Sequence, residues 1–203
     1  MIYNNYIIKQ ICFVTGNKSK VLHAKVALEE FSIDVTSQKL EMIEPREEEP
    51  EMVAIEKAIQ AFEQIKMPLI VEDSGIFITA LNGFPKTFVH FVESTIGIKN
   101  ILKMMEGIKD RSVEFRQSLA YIGPNMDKPI VFSYIDGGYR LADKIWEEKY
   151  ESLFGEFDKI LIPQNETKPL CTFSKEWRAK RDTESNKGNI HYHQLAHWLS
   201  SRG

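Results

Sequence analysis

The sequence contains no apolar run that approaches the roughly 18–20 residues of a membrane-spanning helix. Residues 1–10 also lack the apolar region and the cleavage site of a secretory signal peptide. Only two cysteines are present, Cys12 and Cys171, and their spacing fits neither a disulfide framework nor a metal site. These absences predict a cytoplasmic protein with no membrane partner, in a reducing compartment.

An excess of basic charge is also missing, because 26 lysines and arginines face 29 acidic residues and leave a net charge of −3. Binding to nucleic acid is therefore not expected. No internal repeat and no low-complexity linker divides the chain. With 203 residues and 43% apolar content, the chain can bury one sizeable core, so we expect one α/β domain over residues 1–203.

The segment 69–75, Leu-Ile-Val-Glu-Asp-Ser-Gly, most strongly indicates a functional site. An apolar, partly β-branched run ends there in two adjacent carboxylates, Glu72 and Asp73. The pattern predicts a buried strand that delivers acidic side chains to a cleft at the carboxyl edge of an α/β sheet. Adjacent carboxylates repel each other unless a cation or a shared proton compensates them. Helix caps and solvated turns produce the same pattern, so both interpretations stay open.

A second predicted strand, 11–14, is followed by the turn Thr15-Gly16-Asn17 and an amphipathic segment that runs through Glu30. A strand, a glycine-bearing turn and a helix point backbone N–H groups and the helix dipole at an anion. Lys20 would add a point charge suited to phosphate. The spacing is not that of a Walker A loop, and an ordinary capped turn is the alternative.

Jointly, these residues resemble the inosine triphosphate pyrophosphatase family, also called Ham1-like. The family opens with T-G-N-x-x-K and carries an acidic block of the form Asp/Glu-Asp-Ser/Thr-Gly, both present here in the family's order. The resemblance runs from about residue 10 to 188 and is stronger in the first half. It implies a long mixed central sheet flanked by helices, two lobes with a nucleotide cleft between them, and a homodimer.

The resemblance further implies hydrolysis of 6-oxo purine nucleoside triphosphates such as ITP, dITP and XTP to monophosphate and pyrophosphate. The implied cofactor is Mg²⁺, with Mn²⁺ as the alternative, and Asp73 is the implied general base. The candidate metal ligands are Glu44, Glu72 and Asp73. The candidate phosphate-binding residues are Thr15, Gly16, Asn17, Lys20 and Lys57.

The second half carries the family's base-binding motifs with several departures. The candidate base-binding residues are Phe154, Asp158, Arg181, Ser185, Asn186 and Lys187. Phe154 would stack on the base, although a core phenylalanine is an equal alternative. Asn186 and Lys187 stand where the family has histidine and arginine, and Lys86 replaces a glycine. Lys187 keeps the positive charge and loses the planar fork of arginine, so base preference is the property most open to change.

Two alternatives to the leading interpretation remain. The chain could perform the same chemistry on another nucleotide, or it could be a non-catalytic module that senses nucleotides.

On the terminal helix, His193 and His197 have the i, i+4 spacing of a metal pair. Without a third ligand, we expect them to be surface or interface residues.

Overall fold

The structure is a computed structural model that describes residues 9–151, 155–185 and 190–202. The strands are β1 (Gln10–Val14), β2 (Asp34–Gln38), β3 (Leu69–Ile78), β4 (Pro85–Lys86), β5 (Ser112–Ile122), β6 (Ile130–Leu141) and β7 (Leu161–Pro163). The helices are α1 (Lys18–Glu29), α2 (Pro50–Ile65), α3 (Val89–Thr95), α4 (Ile98–Met104), α5 (Lys175–Ser185) and α6 (His191–Ser200). Within those ranges, no helix is both long enough and apolar enough to cross a bilayer.

The seven strands found in the described residues belong to one mixed sheet in the order β2-β1-β3-β5-β6-β7, with β4 paired to β3 outside that path. The first three strands of this order are parallel. The connections from β3 onward are antiparallel. The predicted fold class, a long mixed sheet flanked by helices, is therefore confirmed.

Strand β3 creates the cleft because its two edges are covered unequally. On one edge, β5 pairs with all ten residues of β3. On the other edge, the described pairs with β1 involve only Leu69 and Ile70, and β4 pairs only with Ile76 and Phe77. Residues 71–75 therefore face an opening between β1 and β4. The carboxylates lie within the strand and not at its end, since the chain continues extended after Gly75 and pairs with β5 as far as Ile78.

Alternation along the strands sends side chains into apolar clusters on both faces of the sheet. Phe13 and Ile70 pack with α1 and α6 on one face, whereas Val14 and Val71 pack with α2 on the other. A third cluster, which includes Ile101, joins the far half of the sheet to α3, α4 and β7. The opening beside β3 lies where these groups of elements meet, in agreement with the predicted arrangement of two lobes.

The pair Gly137-Gly138 lies at an irregularity in the ladder between β5 and β6. Val113 is opposite Tyr139, but Phe115 is opposite Asp136, so β6 has one residue more than β5 between these pairs. This is the bulge or bend that two adjacent glycines predict in a strand. It changes the direction of β6 close to Tyr139, which lines the cleft.

Candidate active site

The opening beside β3 leads into two adjoining cavities. The larger has a volume of about 670 Å³ and is lined by the turn after β1, by Lys57 of α2 and by β3. The smaller has a volume of about 170 Å³ and is lined by α1, β5 and α5. The residues that line both cavities are Asn17, Lys20, Glu72, Ser74 and Phe115. A ligand with two chemically different ends could therefore occupy both cavities at once.

The turn after β1 is organised by its own polar side chains. Asn17 caps α1, with Oδ1 accepting from the N–H groups of Ser19 at 2.9 Å and Lys20 at 3.3 Å. The Asn17 N–H in turn donates to Oγ1 of Thr15 at 3.0 Å. The capped turn expected as the alternative is thus present, and it also lines the larger cavity with Thr15, Gly16 and Asn17. The Lys20 ammonium is then the group of this turn best suited to reach an anion.

The adjacent carboxylates of Glu72 and Asp73 project to opposite faces of the sheet, as consecutive strand residues must. Each has its own lysine. The Lys20 ammonium donates to the backbone oxygen of Glu72 at 3.1 Å and lies 3.3 Å from its Oε1. The Lys57 ammonium, on α2, lies 3.7 Å from Oδ1 of Asp73. Two lysines from different helices therefore compensate the charge of two neighbouring acids.

Glu44 completes the arrangement on the side of α2. Its Oε2 lies 2.9 Å from the Lys57 ammonium, which therefore stands between Glu44 and Asp73. Three segments that are far apart in the chain thus meet in one cleft. The sequence-predicted residues brought together there are Lys20, Glu44, Lys57, Glu72 and Asp73.

The two adjacent acids differ in their protonation. Burial raises the pKa of Asp73 to about 6, with Lys20 and Lys57 lowering it and Glu44 and Glu72 raising it. Burial alone would also raise the pKa of Glu72, but Lys20, His191 and Tyr192 outweigh it and hold that pKa well below its ordinary range. One carboxyl is thus fixed as an anion, while its neighbour has a proton affinity suited to accepting a proton near neutral pH.

The donor set on the α2 side suits a hard divalent cation. Oxygens of Glu44 and Asp73 converge on one point, now held by the Lys57 ammonium. Mg²⁺ in phosphate-processing sites commonly takes one or two carboxylates and completes its shell with phosphate oxygens and water. Within the described ranges, no three His, Cys, Asp or Glu side chains form a ready metal cluster, since Glu72 points to the other face.

The acidic loop that carries Glu44 is anchored by basic side chains from the other side of the cleft. Lys86 forms an ion pair with Glu48, and Nη1 of Arg116 lies 3.5 Å from Oε2 of Glu49. Lys86 also has a positive φ of 58°, the backbone region that favours glycine, which is the residue the family carries here. The lysine at this position therefore holds the loop.

The smaller cavity contains two arginines of α5. Nη1 of Arg178 lies 2.9 Å from Oδ2 of Asp158, and both side chains are buried. Arg181 donates to Oδ2 of Asp136 at 3.0 Å and to the hydroxyl of Tyr139 at 2.7 Å. Planar aromatic rings and fixed polar groups are what a heterocyclic base requires for stacking and for hydrogen bonds to its edge.

Of the predicted base-binding residues, the structure places Asp158 and Arg181 in this smaller cavity. Phe154, Asn186 and Lys187 lie outside the described residues. Ser185 ends α5, and its side chain is likewise outside the description. Sequence reasoning missed Trp177 and Arg178, which also line the cavity. The only available signal was their position on the same helix as Arg181, within one turn of it.

Helix α6 also contributes to the site, which the sequence did not suggest. The hydroxyl of Tyr192 donates to Oε2 of Glu72, and Nε2 of His191 lies 3.4 Å from the same oxygen.

The expectation that His193 and His197 of this helix lie at the surface was wrong for His193, which is buried and lies 3.2 Å from Glu30. It is correct for His197, which is exposed. The ring of Phe31 packs against both His193 and His197.

A mixed α/β sheet with paired lysines and carboxylates in a cleft between two lobes defines a class of nucleotide-processing protein. Within this class, the chain belongs to the Ham1 family, whose model matches residues 11–186. It is 38% identical over 178 residues to a dITP/XTP pyrophosphatase of Methanosarcina acetivorans, covering 88% of this chain and 89% of that protein. It is 35% identical over 167 residues to a dITP/XTP pyrophosphatase of Saccharolobus solfataricus, covering 82% and 83%.

Solved structures show the same fold. The Ham1 protein of Staphylococcus aureus superposes with a TM-score of 0.72 at 23% identity, covering 96% of this chain and 100% of that one. A HAM1 protein of Coxiella burnetii gives a TM-score of 0.74 at 21% identity, covering 95% and 98%. The likeness extends over nearly the whole length of each chain.

Proposed function

We propose that the protein hydrolyses 6-oxo purine nucleoside triphosphates, such as dITP, ITP and XTP, to the monophosphate and pyrophosphate. The observation that carries this proposal is the meeting of Lys20, Lys57 and Asp73 in one cleft. The names of the two relatives, dITP/XTP pyrophosphatase, support the choice of substrate. In this proposal the triphosphate occupies the larger cavity and the base occupies the smaller one.

The lysines supply the electrostatic part of the reaction. Lys20 and Lys57 approach the larger cavity from α1 and α2, on opposite faces of β3. Their ammonium groups would neutralise charge on the triphosphate, which develops further on the leaving pyrophosphate. The capped turn Thr15-Gly16-Asn17 fixes the start of α1 and therefore the direction from which Lys20 enters.

Asp73 is the proposed general base. Its carboxylate takes a proton from the attacking water, whose oxygen bonds to the α-phosphorus. The bond between that phosphorus and the α,β-bridging oxygen breaks, and pyrophosphate leaves with the electron pair. Burial has already raised the pKa of Asp73 to about 6, which brings the carboxylate close to the working pH of such a base.

Glu44 and Asp73 would hold Mg²⁺, or Mn²⁺ in its place. The Glu72 carboxylate lies on the other face of the sheet, where it pairs with Lys20. When bound, the cation neutralises phosphate charge and orients the phosphate oxygens for in-line displacement. The convergence of the two carboxylates on the Lys57 ammonium supports this assignment. Lys57 would then turn from the carboxylates to the phosphates.

The most direct test is a panel of nucleotides incubated with purified protein, with and without a chelator. We expect metal-dependent pyrophosphate release from dITP, ITP and XTP at efficiencies at least about 100-fold above those for ATP and GTP, a discrimination that buried polar contacts to a base can supply. Equal efficiency on all purines would point to the same chemistry with altered base preference. Binding without pyrophosphate release would instead support a nucleotide-sensing module.

We further propose a cytoplasmic homodimer. Both cysteines are buried and in the free thiol form, which suits a reducing compartment. The dimer rests on the family resemblance alone. Light scattering coupled to size-exclusion chromatography tests it, and a mass close to the chain's 23.5 kDa would contradict it.

A further inference from the structure

We propose that Tyr192 and His191, at the start of helix α6, are positioning residues of the active site that hold Glu72 and, through it, the Lys20 ammonium. The inference rests on the proposed function in one respect, namely that Lys20 binds the triphosphate. Neither residue reaches the larger cavity, so they would act on the substrate only through Glu72 and Lys20.

The contacts on the Glu72 carboxylate carry the inference. The Tyr192 hydroxyl donates to Oε2, and Nε2 of His191 lies 3.4 Å from that oxygen, while Lys20 approaches Oε1 at 3.3 Å. Helix α1, which lines the cleft, therefore contacts Oε1 of Glu72, and helix α6, which lies behind the cleft, contacts Oε2. A rotation of the Glu72 carboxylate that broke its contacts to α6 would also move Oε1, the oxygen that the Lys20 ammonium contacts.

Tyr192 and His191 are buried and pack against other aromatic rings. Both side chains are at most 3% exposed, as is the Leu195 side chain one turn along α6. The Tyr192 ring packs edge-on against Phe13 at a centroid distance of 6.4 Å, and the His191 ring stacks with Tyr134 at 6.4 Å. Close packing of this kind restricts the position of the Tyr192 ring and therefore the direction of its hydroxyl.

Lys20 needs such support because it is a flexible side chain on the first turn of α1. A second contact, from its ammonium to the backbone oxygen of Glu72, is 3.1 Å long and depends on the same geometry. A preorganised ammonium binds phosphate without the entropic cost of ordering four methylene groups. The hydroxyl of Tyr192 therefore contributes to nucleotide affinity although it lies behind the site.

The test compares Tyr192→Phe, which removes only the hydroxyl, with Tyr121→Phe as the matched control. Tyr121 is a buried tyrosine of the same apolar cluster and makes no described contact with Glu72. We expect Tyr192→Phe to raise the KM for ITP about tenfold with kcat changed by less than about threefold, the result of losing one hydrogen bond to a charged group. Tyr121→Phe should leave both constants within about twofold of the wild type.

A double-mutant cycle separates a positioning role from a general loss of packing. A Glu72→Ala background leaves the Tyr192 hydroxyl only its contact of 3.5 Å to the backbone oxygen of Lys20. In that background, Tyr192→Phe should have little further effect on KM, because the hydroxyl acts mainly through the carboxylate. His191→Gln provides a second variant and should raise KM in the same direction. Additive effects in the cycle, or an equal KM for Tyr192→Phe and Tyr121→Phe, would overturn the inference.

Binding measured by calorimetry in the presence of a chelator gives a readout that does not depend on turnover. The Kd of Tyr192→Phe for ITP should rise by the same factor as its KM, and the Kd of Tyr121→Phe should not change. Absence of pyrophosphate release by the wild type would refute the proposed function but leave this comparison intact. An unchanged Kd for Tyr192→Phe would refute the positioning role itself.

Discussion

The Lys57 ammonium lies 3.7 Å from Oδ1 of Asp73 and also contacts Glu44, so one side chain of α2 organises both carboxylates on that face of the sheet. Asp73 is half-buried beside this ammonium and still has a pKa raised to about 6. Its two lysine neighbours therefore do not fully compensate the loss of hydration. The protein keeps an acid at this position at a cost in stability, which is expected of a functional group.

The first prediction concerns Asp73→Asn. We expect kcat for ITP to fall by at least about 100-fold, because the amide cannot accept the proton of the attacking water. Nucleotide binding should remain measurable, since Lys20 is unchanged. Pyrophosphate release measured beside calorimetric binding tests both statements. Near-normal turnover of the variant would refute the role of Asp73 as general base.

The same substitution should stabilise the fold at pH 7. The pKa of Asp73 is raised from 3.8 to about 6 on folding, so the free energy of unfolding falls as pH rises through that window. Asparagine removes this penalty, with an expected gain of roughly 1–3 kcal/mol at pH 7 and little gain at pH 3.5. Urea denaturation at the two pH values measures the difference. A variant less stable than wild type at pH 7 would contradict the sign.

A second prediction follows for the titration of Asp73 in protein treated with a chelator. Its carboxyl carbon, observed by NMR and assigned with Asp73→Asn, should titrate near 6. Lys57→Met should raise that pKa further, because the ammonium of Lys57 now lowers it. Addition of Mg²⁺ should lower it if the cation binds Asp73. A pKa below 4 in the chelator-treated protein would show that the carboxyl is not desolvated as described.

The third prediction concerns base selection by the smaller cavity. Asp158→Asn should reduce the preference for ITP over ATP by at least about tenfold, because it changes the polar edge offered to the base. It should also lower stability by about 3–5 kcal/mol, since it leaves the buried charge of Arg178 without its ion pair to Asp158. Glu156→Gln, a substitution two residues away at a side chain that pairs with Lys159, is the control.

Ratios of kcat/KM for the two nucleotides measure this effect independently of the fraction of folded enzyme. The control should keep the wild-type ratio. An unchanged ratio in Asp158→Asn would remove Asp158 from base recognition and leave it a structural partner of Arg178.

The fourth prediction uses two glycines. A Cβ at Gly75 would lie 2.6 Å from the backbone oxygen of Lys86, a contact that only movement of the backbone relieves. Gly75→Ala should therefore destabilise the protein by about 1–3 kcal/mol and displace Lys86 from Glu48 on the acidic loop. Gly137→Ala, where a Cβ meets nothing within 4 Å, is the matched control. Equal melting temperatures for the two variants would contradict the described contact.

The predictable part of this structure comes from local patterns. The apolar run of β3, the capped turn before α1 and the bulge at Gly137-Gly138 follow from residues that are neighbours in the chain. The direction of Glu72 and Asp73 to opposite faces follows from strand alternation once the strand is known to continue. That continuation depends on pairing with β5, which no pattern within residues 69–75 reveals.

The rest depends on contacts between distant segments. Arg178 pairs with Asp158, twenty residues away, and a basic residue on a polar helix gives no local sign of such a partner. Tyr192 meets Glu72 from 120 residues further along the chain. His193 is buried because α6 packs against α1 and the sheet, and the i, i+4 spacing of two histidines does not indicate which face of the helix is covered.

Lys20 pairs with Glu72 and Lys57 with Asp73, and this arrangement has a consequence for how a ligand enters. The two lysines of the cleft are each paired with carboxylates. An anionic chain that arrives together with a dication would therefore find ammonium groups for its own charge and carboxylates for that of the dication. In the proposed reaction, Lys57 would move from the carboxylates to the phosphates while the dication would bind the carboxylates. A triphosphate without a cation would leave the carboxylates without a counter-ion once Lys57 has moved, and a cation without the triphosphate would leave Lys57 without an anion.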